Sequence, residues 1–447
     1  MTGTSTIPGL VIAAPRSGAG KTTVTLGIMR ALARRGVKVQ AFKCGPDYID
    51  PAFHGIATGR PSFNLDTWAM SAAAIQSLAS SANGDRELAV VEGVMGLFDG
   101  VAAPGLSGHG ATADIAALSG WPVVLVLDCT GQSETAAAVA LGLARYRGDV
   151  EIAGVILNNI ASARHRALIE PAIERIGMPV LGVLMRNASL AFPERHLGLV
   201  QASETGAVEG RLEALADQAE ASFDLERIVA LAKPGRWERQ RALEGKALLR
   251  PPGQRVAIAR DVAFSFLYPH HAEGWRSQGA SLHFFSPLAD EVPDASADAI
   301  WLPGGYPELH GGRIAAAGRF KRAMRDASER GVTLHGECGG FMVLGRTLID
   351  AEGSPHEMLG LLAIETSFAR RKLHLGYRRA VLSAECALGP KGAELRGHEF
   401  HYASLVHSQE EPLVVCSDAN GQGVPETGAR RGRVSGTFFH VISGGGG

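Results

Sequence analysis

The chain has 447 residues, of which 46% are hydrophobic and 20% charged, and its formal net charge is −1. This length exceeds what a single hydrophobic core organises, and it predicts two or three domains. The balanced charge, without a long run of one sign, excludes an electrostatic nucleic-acid or membrane-surface footprint, so we expect small-molecule partners. Three features predict a cytoplasmic location. The five cysteines are scattered, the N-terminus has no signal-peptide pattern, and the sequence has no long apolar run.

The first chemical motif lies at residues 10–35, LVIAAPRSGAGKTTVTLGIMRALARR. An apolar strand-type run leads into a turn that holds Gly18 and Gly20, and the apolar residues after it recur at helical spacing. Backbone N–H groups of such a turn bind phosphate, Lys21 reaches the terminal phosphates, and Thr22 ligates Mg²⁺. A proline takes the position of the first glycine of the usual G-x-x-x-x-G-K-[ST] pattern. The alternative is a chance glycine-rich turn before a helix.

The loop resembles the deviant P-loop group that includes dethiobiotin synthetase and the partitioning ATPases. In that group a basic residue follows the first loop position, and Arg16 takes that place here. The resemblance leaves open whether Arg16 contacts phosphate within its own chain or across a homodimer. The predicted nucleotide-binding residues of this region are Arg16, Gly18, Gly20, Lys21, Thr22 and Thr23.

Acidic residues follow two further strand-type runs. Residues 37–42 lead into KCGPDYIDPAFH, which carries Asp47, and residues 88–91 lead into Glu92. Ligands collect at strand ends in doubly wound sheets, and carboxylate oxygens suit Mg²⁺. We therefore predict that Thr22, Asp47 and Glu92 hold the metal. For Asp47 the alternative is a turn residue that caps backbone N–H groups.

Three more strand-type runs, at residues 123–127, 153–157 and 180–184, alternate with helical stretches. This alternation predicts a parallel, doubly wound α/β sheet. Related P-loop proteins place an amide that reads the nucleotide base after the fifth strand, which makes Asn158 the candidate here, although paired asparagines also form turns. The segment AFPERHLGLV near Phe192 breaks the alternation, and the resemblance favours the rim of a substrate cleft over a solvated loop.

A charged segment bounded by proline and glycine, residues 234–254, predicts the join between two domains. Beyond it, a strand at 299–302 opens into PGGYPE, and a strand at 332–335 opens into GECGGF. A nucleophile at a sharp strand-to-helix turn flanked by glycines is the nucleophile-elbow arrangement, and Cys338 lies at its tip. The helix N-terminus is expected to lower the thiol pKa. The alternative is a buried structural cysteine.

A tetrahedral intermediate at this cysteine needs preorganised hydrogen-bond donors, and the backbone N–H groups of Gly305 and Gly339 are the predicted pair. A cysteine nucleophile also needs a base. The terminal run RVSGTFFH presents His440. The other candidate bases are His335, His398 and His401.

PGGYPE, GECGG and GTFFH together look like a triad-type glutamine amidotransferase domain, with Cys338 as nucleophile and His440 as base. The usual pattern continues H-x-E, whereas Ile442 stands at the position of the acid. In this the chain resembles the cobyric and cobyrinic acid amidase subgroup. The group that orients His440 stays open: a backbone carbonyl, a water molecule or a distant carboxylate such as Glu399.

The strings KCGPDYIDP, GRPSFNLDTWAM, EGVMGLFDG and PERHLGL complete a resemblance to the cobyrinic acid and hydrogenobyrinic acid a,c-diamide synthase family over nearly the whole chain. The resemblance implies two α/β domains. The first, residues 1–240, would be a dethiobiotin synthetase-like P-loop ligase, and the second, residues 253–447, a class I glutamine amidotransferase. It implies ATP, Mg²⁺ and L-glutamine, and it allows a homodimer.

The same resemblance implies the reaction. ATP would convert the a and c carboxylates of hydrogenobyrinate or cobyrinate to acyl phosphates, which glutamine-derived ammonia attacks in cobalamin biosynthesis. It favours the metal-free ring weakly over the cobalt-bearing one. The alternatives are another tetrapyrrole such as nickel sirohydrochlorin, a P-loop switch ATPase with an inactive C-terminal scaffold, and a synthetase that uses free ammonia only.

Overall fold

The computed structural model describes residues 7–81, 85–187, 208–237 and 248–444, with two backbone pairs at 194–195 and 198–199. The chain divides into two compact units, Met1–Ala242 and Leu243–Gly447. The predicted end of the first domain at 240 lies within residues 238–247, outside the described ranges, and the predicted start of the second at 253 lies within the described range 248–444. The same holds for most of the segment around Phe192, so its predicted place at a cleft rim stays a prediction.

The first unit is built on a parallel sheet whose strands are short, apolar and buried. They are β1 (Pro8–Ala13), β2 (Val39–Cys44), β3 (Phe63–Leu65), β4 (Leu88–Glu92), β5 (Val123–Asp128), β6 (Ile152–Ile160) and β7 (Val180–Met185). Their order is β3-β2-β4-β1-β5-β6-β7, and every pair is parallel. This confirms the predicted parallel α/β architecture. The order reverses at β1, and ligands bind at such a switch point in open α/β sheets.

Helices connect these strands, and shorter elements follow the sheet. The helices are α1 (Lys21–Arg34), α2 (Ile49–Thr58), α3 (Ala72–Ser81), α4 (Thr112–Ser119), α5 (Thr135–Tyr146), α6 (Ala163–Arg175), α7 (Val208–Ser222) and α8 (Leu225–Leu231). The short strands are β8 (Glu194–Arg195), β9 (Gly198–Leu199) and β10 (Lys233–Pro234), of which β10 pairs with β1. In the described parts of the chain, no helix combines the length and hydrophobicity that a membrane crossing requires.

The second unit has a six-stranded main sheet in the order β12-β11-β13-β14-β23-β22. Its strands are β11 (Arg255–Ala259), β12 (Ser281–Phe285), β13 (Ala299–Leu302), β14 (Thr333–Glu337), β22 (Ala429–Arg431) and β23 (Val434–Thr437). Side chains alternate between two faces of a strand. Ile300 and Leu302 pack into one hydrophobic cluster, whereas Ala299 and Trp301 pack into another, so β13 is buried on both faces.

Two smaller sheets and four helices complete this unit. One sheet holds β15 (Thr347–Ile349), β16 (Pro355–Glu357), β17 (Ile364–Ser367) and β20 (Ser404–Ser408). The other holds β18 (His374–Leu382), β19 (Glu394–His401), β21 (Val414–Asp418) and β24 (His440–Gly444). The helices are α9 (Pro269–Ser277), α10 (Gly311–Ala316), α11 (Gly318–Glu329) and α12 (Gly339–Leu344).

Candidate active sites

The predicted phosphate loop lies between β1 and α1, at the point where the strand order reverses. Gly18 and Gly20 have φ angles of 71° and 94°, a backbone region that glycine enters without steric cost. Gly20 directly precedes α1, and a Cβ there would lie 2.1 Å from the side-chain nitrogen of Asn158. Lys21, Thr22 and Thr23 then form the first turn of α1, where free backbone N–H groups favour an anion.

Lys21 is buried beneath the loop. Its Nζ donates to the carbonyl oxygens of Met95, at 2.5 Å, and Arg16, at 3.2 Å. Burial, with the positive charge of Lys43 adding to it, lowers the pKa of Lys21 to about 8. The lysine is thus held close to the loop with its charge less stabilised than in water, and a bound phosphate would restore that stabilisation.

A buried charge cluster lies beside the loop, where β2 and β4 end. Thr22 donates to Glu92 at 2.6 Å, so the structure brings these two predicted Mg²⁺ ligands together. The sequence analysis missed Lys43, whose Nζ lies 3.1 Å from Glu92 and 2.5 Å from Asp50. It also missed His54, whose Nε2 lies 2.7 Å from the other oxygen of Glu92.

Lys43 and the hydrogen bond from His54 decide the charge state of Glu92. Burial alone would raise the pKa of Glu92, but the ammonium of Lys43 and the hydrogen bond from His54 outweigh it and hold that pKa below its ordinary value. Burial likewise opposes the charge of Lys43, whereas Asp50 and Glu92 raise its pKa well above the usual value. The hydroxyl of Thr22 and the ionised carboxylate of Glu92 are hard oxygen donors that fit Mg²⁺.

Asp47, the third predicted Mg²⁺ ligand, has a different set of contacts. Its Oδ1 accepts from the backbone N–H groups of Ile49, at 2.8 Å, and Asp50, at 3.0 Å, at the start of α2. Its Oδ2 lies 4.0 Å from the Nζ of Lys43. These contacts correspond to the alternative of a capping residue, and a metal-binding role of Asp47 stays a prediction.

Two other predicted nucleotide contacts lie at the loop. Asn158 lies within β6 rather than after it, and its amide donates to the carbonyl of Ala19 at 3.0 Å. Asn159 adopts a φ of 60°, the pairing of β6 with β7 is irregular between Leu157 and Ile160, and the Asn159 side chain donates to Asp128 at 2.9 Å. Arg16 also pairs with Asp128, and its side chain is 63% exposed.

The second unit forms the predicted elbow. Strand β14 ends at Glu337, helix α12 begins at Gly339, and Cys338 between them has φ 46° and ψ −103°. Such a backbone conformation is strained for a residue with a side chain, and it occurs at functional turns. A Cβ built on Gly339 would lie 3.1 Å from the backbone nitrogen of Gly305. The two predicted oxyanion donors therefore lie together at the elbow.

The expected low pKa of the Cys338 thiol is wrong for this structure. Burial raises that pKa, and the carboxylate of Glu308 raises it further. Cys338 is only 4% exposed, and α12 has only six residues, so the helix terminus does not offset the desolvation of a thiolate. A raised pKa favours the neutral thiol, so a nucleophilic role of Cys338 would need a base.

His440 is the histidine that the fold brings to Cys338. A methyl group built on Gly304 would lie 2.5 Å from Cε1 of His440 and 3.4 Å from Cβ of Cys338, so both side chains border the same glycine. The Nδ1 of His440 lies 3.6 Å from a carboxylate oxygen of Glu337. The imidazole of His398 stacks on that of His440, with centroids 5.0 Å apart.

The other candidate histidines have structural partners. His335 is buried and hydrogen-bonds Ser435 through Nδ1 at 2.9 Å, and burial lowers its pKa to about 4. His398 hydrogen-bonds the hydroxyl of Tyr268 at 2.9 Å. Glu399, one of the acids considered for orienting His440, instead pairs with Arg378 and lies 3.2 Å from His401.

His374, Glu399 and His401 form a possible metal cluster, with ligand atoms within 4.8 Å of one another. The rings of His374 and His401 stack with their planes only 4° apart. An imidazole nitrogen offers its lone pair in the plane of the ring, and parallel planes do not meet at one ion. Because Arg378 also neutralises the carboxylate, this arrangement does not fit a metal site.

Both units match known families. Residues 10–200 match the family described as CobQ/CobB/MinD/ParA nucleotide binding domain, and residues 255–446 match the CobB/CobQ-like glutamine amidotransferase domain. With the phosphate loop in one unit and the cysteine elbow in the other, the chain is an ATP-using, glutamine-hydrolysing ligase.

The relatives give the particular family. The chain is 55% identical over 436 residues to hydrogenobyrinate a,c-diamide synthase of Rhodobacter capsulatus, across 98% of this chain and 99% of that protein. It is 55% identical over 438 residues to the enzyme of the same name from Mesorhizobium japonicum, across 97% and 98% of the two chains. The enzyme from Agrobacterium fabrum is 51% identical, across 98% and 99%. The chain belongs to the hydrogenobyrinate a,c-diamide synthase family, as its motifs predicted.

Proposed function

We propose that this chain catalyses the ATP- and glutamine-dependent amidation of the a and c carboxylates of hydrogenobyrinate. The observation that carries the proposal is the presence in one chain of a phosphate loop of the deviant type and of a cysteine elbow with a histidine beside it. A ligase needs the first and a glutaminase the second. The name of the relatives supplies the substrate, and their identity extends over both units.

In the second unit the Cys338 thiol would give its proton to His440 while its sulfur attacks the side-chain carbonyl of glutamine. The backbone N–H groups of Gly305 and Gly339 would hold the oxyanion. The imidazolium then protonates the leaving nitrogen, and the carbon–nitrogen bond breaks to release ammonia and leave a glutamyl thioester. Water, deprotonated by His440, hydrolyses the thioester to glutamate and restores the thiol.

In the first unit a substrate carboxylate would attack the γ-phosphate of ATP, and ADP would leave. Ammonia then attacks the acyl phosphate to give the amide and inorganic phosphate. Lys21 and the loop N–H groups would hold the triphosphate, and Lys43 would add positive charge beside it. Mg²⁺ held by Thr22 and Glu92, with Asp47 as a further candidate, would supply additional charge neutralisation at the phosphates.

The test is to incubate the enzyme with ATP, Mg²⁺, glutamine and either hydrogenobyrinate or cobyrinate, and to count carboxyl-to-amide conversions by mass. We expect two conversions of hydrogenobyrinate. Cys338→Ala should abolish the glutamine-supported reaction and keep the ammonium-supported one, Lys21→Ala should lose both, and Lys38→Ala is the matched exposed control. ATP hydrolysis without amidation of either ring would favour another carboxylate substrate or a switch ATPase.

Two smaller proposals accompany this function. A cytoplasmic location follows from the use of ATP and glutamine, and fractionation of cells that express the tagged chain would test it. The homodimer is a prediction from the P-loop resemblance alone, and sedimentation velocity with and without nucleotide would test it.

A further inference from the structure

We propose that Glu337, the residue immediately before the nucleophile, is the carboxylate that positions His440. This inference rests on the proposed glutaminase function and adds a component to it. In triad-type amidotransferases the orienting acid lies two residues after the histidine, but here that position is Ile442, which is 1% exposed. A carboxylate beside the base fixes its tautomer and stabilises its charged form.

Two contacts join Glu337 to the histidine and its backbone. One oxygen, Oε2, lies 3.6 Å from Nδ1 of His440. The other, Oε1, accepts a hydrogen bond from the backbone N–H of Val441 at 3.2 Å. The same carboxylate thus faces the ring and holds the chain directly after it. Facing Nδ1, it favours the tautomer with the proton on that atom, which leaves Nε2 to accept the thiol proton.

The position of Glu337 in the fold explains how one residue can reach the base while its neighbour is the nucleophile. Successive side chains of a strand point to opposite faces, but the φ of 46° at Cys338 breaks that alternation at the end of β14. The backbone N–H of Cys338 donates to the carbonyl of Thr437 at 2.8 Å, which fixes the elbow against β23. Glu337 is 2% exposed, so solvent does not screen its charge from the imidazole.

Other carboxylates of this region are engaged elsewhere. Glu399 pairs with Arg378. Glu426 accepts from the hydroxyl of Thr437 at 2.6 Å and from the backbone N–H of Phe438 at 2.9 Å. The carboxylate of Glu308 raises the pKa of the Cys338 thiol.

Several titratable groups surround His440 and enter its pH dependence. From β19, His398 stacks on its ring. From α9, His271 lies near Glu337 and hydrogen-bonds the carbonyl of Val441 at 2.9 Å. Cys338 and Glu337 complete the set at the elbow. Among these groups Glu337 is the one whose carboxylate oxygen lies 3.6 Å from Nδ1 of His440, so its removal is the change that should alter the pH dependence of glutamine hydrolysis.

The test compares Glu337→Gln with Glu337→Asp. Glu426→Gln is the matched buried control, because the amide oxygen of glutamine can still accept the hydrogen bonds from Thr437 and Phe438. We expect Glu337→Gln to lower kcat for glutamine hydrolysis by up to about 10⁴-fold, the loss that follows when a Ser-His-Asp triad loses its orienting charge. Its ammonium-supported amidation should stay within about twofold. The acidic limb of kcat/KM should move to lower pH, and Glu337→Asp should recover part of kcat.

A merely structural role would not shift the pH profile. Glutamine hydrolysis by Glu337→Gln within about threefold of the parent, with ammonium-supported activity intact, would overturn the inference. If this variant does not fold, full glutaminase activity of Glu337→Asp at an unchanged pH profile would also overturn it. Glutamine-supported activity that survives in Cys338→Ala would instead refute the proposed function itself.

Discussion

Replacing Lys43 with methionine removes a buried positive charge and keeps a side chain of similar length. The Nζ of Lys43 lies 2.5 Å from Asp50 and 3.1 Å from Glu92, and the residue is 4% exposed. At an effective dielectric constant of about 20, each contact is worth about 5–7 kcal/mol before desolvation. Desolvation of the ammonium offsets most of this gain, and loss of one partner of a buried pair typically costs about 3–5 kcal/mol. We expect a loss of this size in the first unit.

Urea unfolding followed by hydrogen-exchange mass spectrometry would measure the change for each unit separately. Lys38→Met is the control, because that exposed lysine lies 3.9 Å from Asp85 and should contribute less than about 0.5 kcal/mol. Adding Asp50→Asn to Lys43→Met should restore part of the stability, since one uncompensated carboxylate disappears. Equal urea midpoints for Lys43→Met and Lys38→Met would refute the electrostatic reasoning.

Three further predictions concern binding and catalysis. The pKa of Lys21 in the nucleotide-free protein is about 8, and bound phosphate favours its charged form. ATP affinity should therefore be constant below pH 8 and fall by up to about tenfold per pH unit above it. Calorimetry should show proton uptake on binding above pH 8, and Lys21→Arg should bind ATP without this pH dependence. Gly304→Ala would place a methyl group 2.5 Å from His440 and should abolish glutamine hydrolysis while ammonium-supported amidation persists; unchanged hydrolysis would contradict the geometry. Asn158→Ala removes a hydrogen bond to the carbonyl of Ala19 that is worth about 1 kcal/mol, so the Kd for ATP should rise about fivefold. An unchanged Kd would show that this hydrogen bond does not shape the loop.

The parts of both sites that depend on local sequence were predictable. The phosphate loop and the cysteine elbow are each a strand, a glycine turn and a helix in continuous sequence, so spacing alone predicts them. Lys43 was not predicted, because its role depends on β2 pairing with β4 so that it lies beside Glu92 in the parallel register. A lysine at the end of an otherwise apolar, buried strand was the available signal, since lysine is rarely buried without a partner.

Glu337 and the thiol pKa were missed for a different reason. The H-x-E pattern places an orienting acid two residues after His440, and the distant carboxylate considered in its place was Glu399, whereas the proposed acid lies about a hundred residues before the histidine, on β14. Only the arrangement of β14, β19 and β24 in space brings it to the histidine. The low thiol pKa was expected from a helix terminus, but the degree of burial, which reverses the shift, is a tertiary property that the sequence does not give.

The environments of two buried glutamates, Glu92 and Glu426, show how partners decide the charge of a buried carboxylate in this chain. Burial alone raises the pKa of both. Glu92 has the ammonium of Lys43 and the ring of His54 against it, so its pKa falls and it stays an anion beside the phosphate loop. Glu426 has only a hydroxyl and backbone N–H groups as hydrogen-bond donors, so burial prevails and its pKa rises. The same burial therefore has opposite outcomes at these two glutamates, and the ammonium beside Glu92 makes the difference.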